Sequence, residues 1–196
     1  MAFFLPVFQK FRSEGESIGR LLVGYDVLEI ALCRCVAEVV NNLDIVVRKM
    51  FGARGQLKRI RTAVSIGRAS YESLGLVDLF DEVICEMRHC LDIRNQFAHS
   101  EFYEDPDNLG SLLFANIEDL VSQQGVIDEL ISVPAKRITR ELLEEQEIFC
   151  TYVYERLFFV KCEARVKVGT LSQNPYSIPI ITAPKLHLPR LPCDFP

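Results

Sequence analysis

The sequence predicts an all-α protein, an antiparallel bundle of four to five helices with a short hairpin or extended insert at 101–118. Three observations carry that expectation. Apolar residues recur at steps of three and four through several long stretches, the spacing of one helix face. Gly52, Gly55 and Gly75 punctuate those stretches, and the proline density rises sharply in the last 26 residues. The expected organisation is therefore a helical domain over 1–170, with the insert inside it, and an extended Pro-rich tail over 171–196.

Residues 17–50 carry Ile18, Leu21, Leu22, Tyr25, Leu28, Leu32, Val36, Val39, Leu43, Val46 and Met50 in unbroken steps. This predicts one long amphipathic helix, capped by Ser17 and ended by Gly52 and Gly55. A second, more basic helix is expected from about Gln56 to Ser73. A third carries Leu76, Phe80, Val83, Ile84, Met87, Cys90 and Leu91. Turn chemistry at Asp105–Gly110 followed by the apolar run Leu112–Ala115 predicts the hairpin or extended insert. A last long helix is expected over 139–167, with Glu141, Glu144, Glu145 and Glu147 in its first turns, where the helix dipole favours negative charge. Beyond Gln173 the prolines exclude helix and central strand, which leaves an extended strap.

With 196 residues there is room for one domain with a substantial core. The opening "MAFFLPVFQKF" lacks a basic region and is interrupted by Pro6 and Gln9, so it reads poorly as a signal peptide. No apolar run approaches the roughly 20 residues that span a bilayer. Seven cysteines, an odd number with no CxxC, suit small core residues kept reduced. A cytoplasmic protein with no membrane association is the expectation. The net charge of −5 argues against a chain that coats nucleic acid over its whole surface. Yet no acid falls between Asp44 and Glu72, while Arg48, Lys49, Arg54, Lys58, Arg59, Arg61 and Arg68 all do. Such a run is either a solvated helix face or a local phosphate-binding patch.

The chemistry concentrates in "CLDIRNQFAHSEFYED", Cys90–Asp105. Here Arg94, Asn95 and His99 fall within six residues as the third helix ends. On a helix Asp92, Asn95 and His99 share a face, and Arg94 lines up with Met87, Cys90 and Leu91 of the buried side. An up-down-up course of the first three helices places the basic patch at the same end of the bundle. These residue types suit metal-free RNA cleavage. Histidine is a general acid or base toward the ribose 2′-OH and the leaving oxygen. The planar arginine fork stabilises the extra charge on phosphorus. Asn95 orients the imidazole or holds a phosphate oxygen.

"RNQFAHS" at the end of a third helix resembles the Arg-Asn-x-x-x-His signature of HEPN domains, a superfamily of α-helical bundles. The resemblance implies a homodimer in which the third helices meet and both motifs form one cleft. It implies a metal-independent endoribonuclease in which Arg94 and His99 are the catalytic pair and Asn95 supports them. Many members are toxins or defence effectors, so RNA and a cognate antitoxin protein are the partners it suggests. Other members keep fold and motif without demonstrated cleavage, and the insert and tail lie outside the general pattern.

Plainer readings stand beside these. Arg94 could pair with Asp92 or Glu101, or cap the helix end, and His99 could pack on Phe97 or Phe102. The stripe Cys85, His89, Asp92, His99 has metal-ligand spacing, but no second cluster completes it. Cys85 is expected to pack and His89 to be exposed. No metal site and no cofactor are expected. The alternative function is a non-catalytic dimeric interaction module that uses the same bundle to bind a protein partner or nucleic acid.

Overall fold

A computed structural model describes residues 5–116, 135–177 and 180–189 of the chain. The described residues are mostly helical, with a small antiparallel sheet of four strands in the order β1-β2-β3-β4. The helices are α1 (Val7–Lys10), α2 (Arg12–Val40), α3 (Leu43–Gly52), α4 (Gln56–Ser73), α5 (Val77–Ala98) and α6 (Arg140–Lys167). The strands are β1 (Ser100–Glu104), β2 (Leu112–Asn116), β3 (Lys136–Ile138) and β4 (Leu188–Pro189). No helix among the described residues is long and apolar enough to cross a membrane. Parts of the expected insert and tail, 117–118, 178–179 and 190–196, lie outside the described residues.

The single helix expected over 17–50 is two helices. α2 already begins at Arg12, so Ser17 lies inside it, buried, and is not a cap. Asn41 adopts the left-handed conformation at φ 53°, and the Oδ1 of Asn42 accepts the backbone N–H of Ile45 at 3.0 Å. The first asparagine ends α2 and the second caps α3, the two roles that asparagine fills best. The break rotates the apolar pattern. Val46 and Met50 are fully buried, but Leu43, expected on the core face, is exposed.

The described residues form two compact units, and each is considered by itself. The first draws on Met1–Leu22, Asp92–Glu147 and Pro184–Pro196. Its hairpin pairs β1 with β2 in register Phe102↔Phe114, and β3 and β4, unforeseen in the sequence, extend the sheet. All five residues of β2 are buried. Fully covered strands read as continuous apolar runs and do not alternate, which is why "LLFA" shows no alternation. The Nε2 of Gln146 donates to the carbonyls of Lys185 and Leu186, both at 2.8 Å, fixing the approach to β4.

The second unit draws on Val23–Leu91 and Ile148–Ala183. Its core includes Leu32, Val36, Met50, Ile60, Tyr71, Phe80, Val83 and Met87. Gly67 lets α4 approach α2 closely, because a Cβ there would sit 3.2 Å from both methyls of Val36. Tyr71 stacks on Phe80 at 4.4 Å between centroids and donates its hydroxyl to the Cys35 carbonyl at 2.9 Å. Burial pushes the Cys35 thiol up to about 12, so it is a small core residue and not a nucleophile. The buried Arg156 bridges Glu82 at 2.9 Å and Glu86 at 3.4 Å.

Candidate functional site

α5 ends at Ala98, His99 forms the turn, and β1 begins one residue later. The last carbonyls of a helix have no partner within it. Here side chains from the hairpin supply partners: Asn116 Nδ2 donates to the carbonyls of Asn95 at 3.2 Å and Gln96 at 3.4 Å, and the Ser100 hydroxyl also donates to Gln96. Beneath them Phe97 meets Phe114 at 5.4 Å and Phe102 at 6.3 Å, while Phe8 covers Phe102 at 5.1 Å. The helix end is thus fastened by polar bonds on its backbone and by aromatic packing on its buried face.

On this support Arg94 and Asn95 are half-buried, and Arg94 Nη1 donates to Asn95 Oδ1 at 3.2 Å. Asn95 is therefore the side chain that orients the guanidinium, a partner the sequence did not suggest for Arg94. Among the described residues Arg94 forms no ion pair with Asp92 or Glu101. His99 is exposed at the point where the helix has ended. The spacer residue of the motif, Gln96, is 7% exposed, and among the described residues neither its amide nitrogen nor its amide oxygen has a hydrogen-bond partner. The sequence treated Gln96 as filler. Asn116, which closes the helix end, follows the apolar run Leu112–Ala115 and carried no signal.

The metal-spaced stripe behaves otherwise than expected. Cys85 is exposed, while the His89 ring packs edge-on against Phe149 at 5.4 Å. The six described cysteines are free thiols.

The basic patch lies in the second unit, on α3, the following turn and the start of α4, and the structure divides it. Arg59 is committed to the core: its Nη1 meets Glu29 Oε2 at 2.6 Å, where Glu29 is 2% exposed, and its guanidinium lies over the Phe51 ring at 5.4 Å. The Nε of Arg48 donates to both carboxylate oxygens of Asp44 one turn back, at 2.8 and 2.9 Å, in an exposed pair that contributes little. Lys49, Arg54, Lys58 and Arg61 are exposed and make no ion pair among the described residues. Between them Gly55, at φ 83°, starts α4 with no side-chain cap, leaving the first N–H groups of the helix open. No protein-family model, no characterised protein and no solved structure matches this chain.

Proposed function

We propose that this chain is a metal-independent endoribonuclease of HEPN type, a cytoplasmic homodimer whose two motifs share one cleft, with toxin or defence activity. One observation carries the reading: an exposed histidine stands where α5 has just ended, within six residues of an Arg94–Asn95 pair on a helix end tied down by Asn116 and Ser100. His99 acts as general base on the ribose 2′-OH or as general acid on the leaving oxygen. The 2′ oxygen bonds to phosphorus, the bond to the 5′ oxygen breaks, and the departing oxygen takes a proton. The ends are a 2′,3′-cyclic phosphate and a 5′-hydroxyl. Arg94, held by Asn95, stabilises the doubly charged phosphorus centre. Lys49, Arg54, Lys58 and Arg61, with Arg48, hold the RNA backbone. Arg59 serves the fold instead.

The test is cleavage of a mixed-sequence RNA in EDTA by wild type, His99→Ala and Arg94→Ala. Wild type alone should cut, leaving cyclic phosphate ends, with a loss of about 10²–10⁴-fold on removing His99. Equal cutting by all three proteins, or none by wild type, defeats the reading.

A second reading rests on Val23, Val27 and Ile30, which line an exposed apolar stripe of α2 at steps of four and three. Such a stripe suits a non-catalytic dimeric interaction module. In that case no RNA is cut at any concentration, and Val27→Glu reduces self-association or partner binding.

A further inference from the structure

The corner of α3 and α4 forms a shallow, open groove of about 750 Å³. Helix geometry explains its charge. On α3, Ile45, Arg48, Lys49 and Gly52 recur at steps of three and four, so they share a face. On α4, Lys58, Thr62 and Ile66 do the same and form the opposite wall. Three cations therefore line one concavity, Arg48 with its Nε bonded to Asp44 one turn back, together with the aliphatic side chains of Val40, Ile45 and Ile66, and no acid is in its lining.

The hydroxyls do not supply specificity. Thr62 donates to the Lys58 carbonyl and Ser65 to the Thr62 carbonyl, both at 2.8 Å. Recognition falls to charge and to apolar contact. A flexible polyanion satisfies both demands, since its phosphates meet the cations and an unstacked base rests on Ile45 and Ile66. A duplex keeps its base faces hidden. We infer that this groove binds the phosphodiester backbone of single-stranded RNA through Arg48, Lys49 and Lys58. The inference deepens the RNA-binding half of the proposed function and rests on it.

Binding is measured by anisotropy of a labelled, mixed-sequence single-stranded RNA, on a His99→Ala background so that the probe stays whole. Three phosphates in the groove, at about 0.7 each, contribute about −2 to the log–log salt slope. Lys49→Glu with Lys58→Glu should weaken binding at least tenfold and make the slope shallower by about 1.4. Gly52 supplies an independent variant, because a Cβ there meets nothing within 4 Å. Gly52→Phe fills the groove while keeping every cation, and should weaken binding several-fold with little change in slope. The proposal is overturned if the charge-reversed protein, folded by circular dichroism, binds RNA like its parent. It is equally overturned if phosphatidylglycerol vesicles bind in a Lys49- and Lys58-dependent way and RNA does not. The two readings separate cleanly. A wild-type protein that binds RNA in the groove but never cuts it loses the nuclease reading and keeps the groove. One that cuts RNA regardless of the charge reversal does the opposite.

Discussion

The end of α5 and the corner of α3 and α4 both carry charged side chains on helix termini, but they are built oppositely. At the end of α5 the guanidinium and the helix terminus are held, while His99 stands exposed. Arg94 is bonded to Asn95, and Asn116 and Ser100 bond the last carbonyls above three packed aromatic rings. At the corner, Lys49, Arg54, Lys58 and Arg61 are exposed and without ion pairs among the described residues, and α4 starts uncapped. Groups that make and break bonds need fixed geometry, since small displacements lose much of the rate. Groups that hold a mobile polyanion act through number and access, and rigid pairing would only neutralise them. The difference in construction matches the division of labour proposed for the two regions.

The strongest way to break the contrast is to remove the support beneath α5. Phe114 is fully buried and meets both Phe97 and Phe102. Phe114→Ala should destabilise the protein by about 4 kcal/mol through lost burial and the cavity left behind. Chemical denaturation followed by far-UV circular dichroism measures this, and a loss below about 1 kcal/mol would show that the rings do not anchor the helix end.

The corner offers a sharper comparison between neighbours. Arg59→Ala leaves the Glu29 carboxylate, 2% exposed, without its guanidinium and should cost about 3 kcal/mol. Lys58→Ala, one residue away on an exposed position, should stay within about 0.5 kcal/mol. If both variants melt alike, the division of the basic patch into a structural arginine and free binding cations is wrong.

That division marks where the sequence stopped being legible. The second and last helices lie at Gln56–Ser73 and Arg140–Lys167, as the bracketing glycines of the one and the acidic first turns of the other indicated. The break at Asn41–Asn42 was hidden because Val39, Leu43 and Val46 keep helical spacing across it, although paired asparagines are themselves a stop-and-cap signal. β3 and β4 span three and two residues, too short to show any period. Arg94, Asn95 and His99 could be named from spacing alone, whereas the fate of Arg59 depended on a buried acid thirty residues earlier. Local pattern carries helices and motifs; a partner chosen by tertiary packing leaves no local trace.

The smallest expected effect tests whether the hairpin end of the first unit relies on charge as well as on packing. Lys10 bonds the carboxylate of Glu104, which also accepts the Gly110 N–H at 2.9 Å. Both bonds favour the ionised acid, and the lysine contact first, then the backbone bond, holds this carboxyl below the usual carboxylate range. A carboxyl with a depressed folded-state value adds stability that is present above its unfolded value and is lost as pH falls through the folded one. The melting difference between wild type and Glu104→Gln should therefore be small but positive at neutral pH and should vanish in acid, below the ordinary carboxylate range. Because both partners reach solvent, added salt should shrink the same difference at neutral pH. A gap that persists unchanged into acid would mean that Glu104 supports the β1–β2 turn by shape and hydrogen bonding alone. The hairpin end of the first unit would then be held by aromatic packing and neutral hydrogen bonds, in contrast to the exposed cations of the α3–α4 corner.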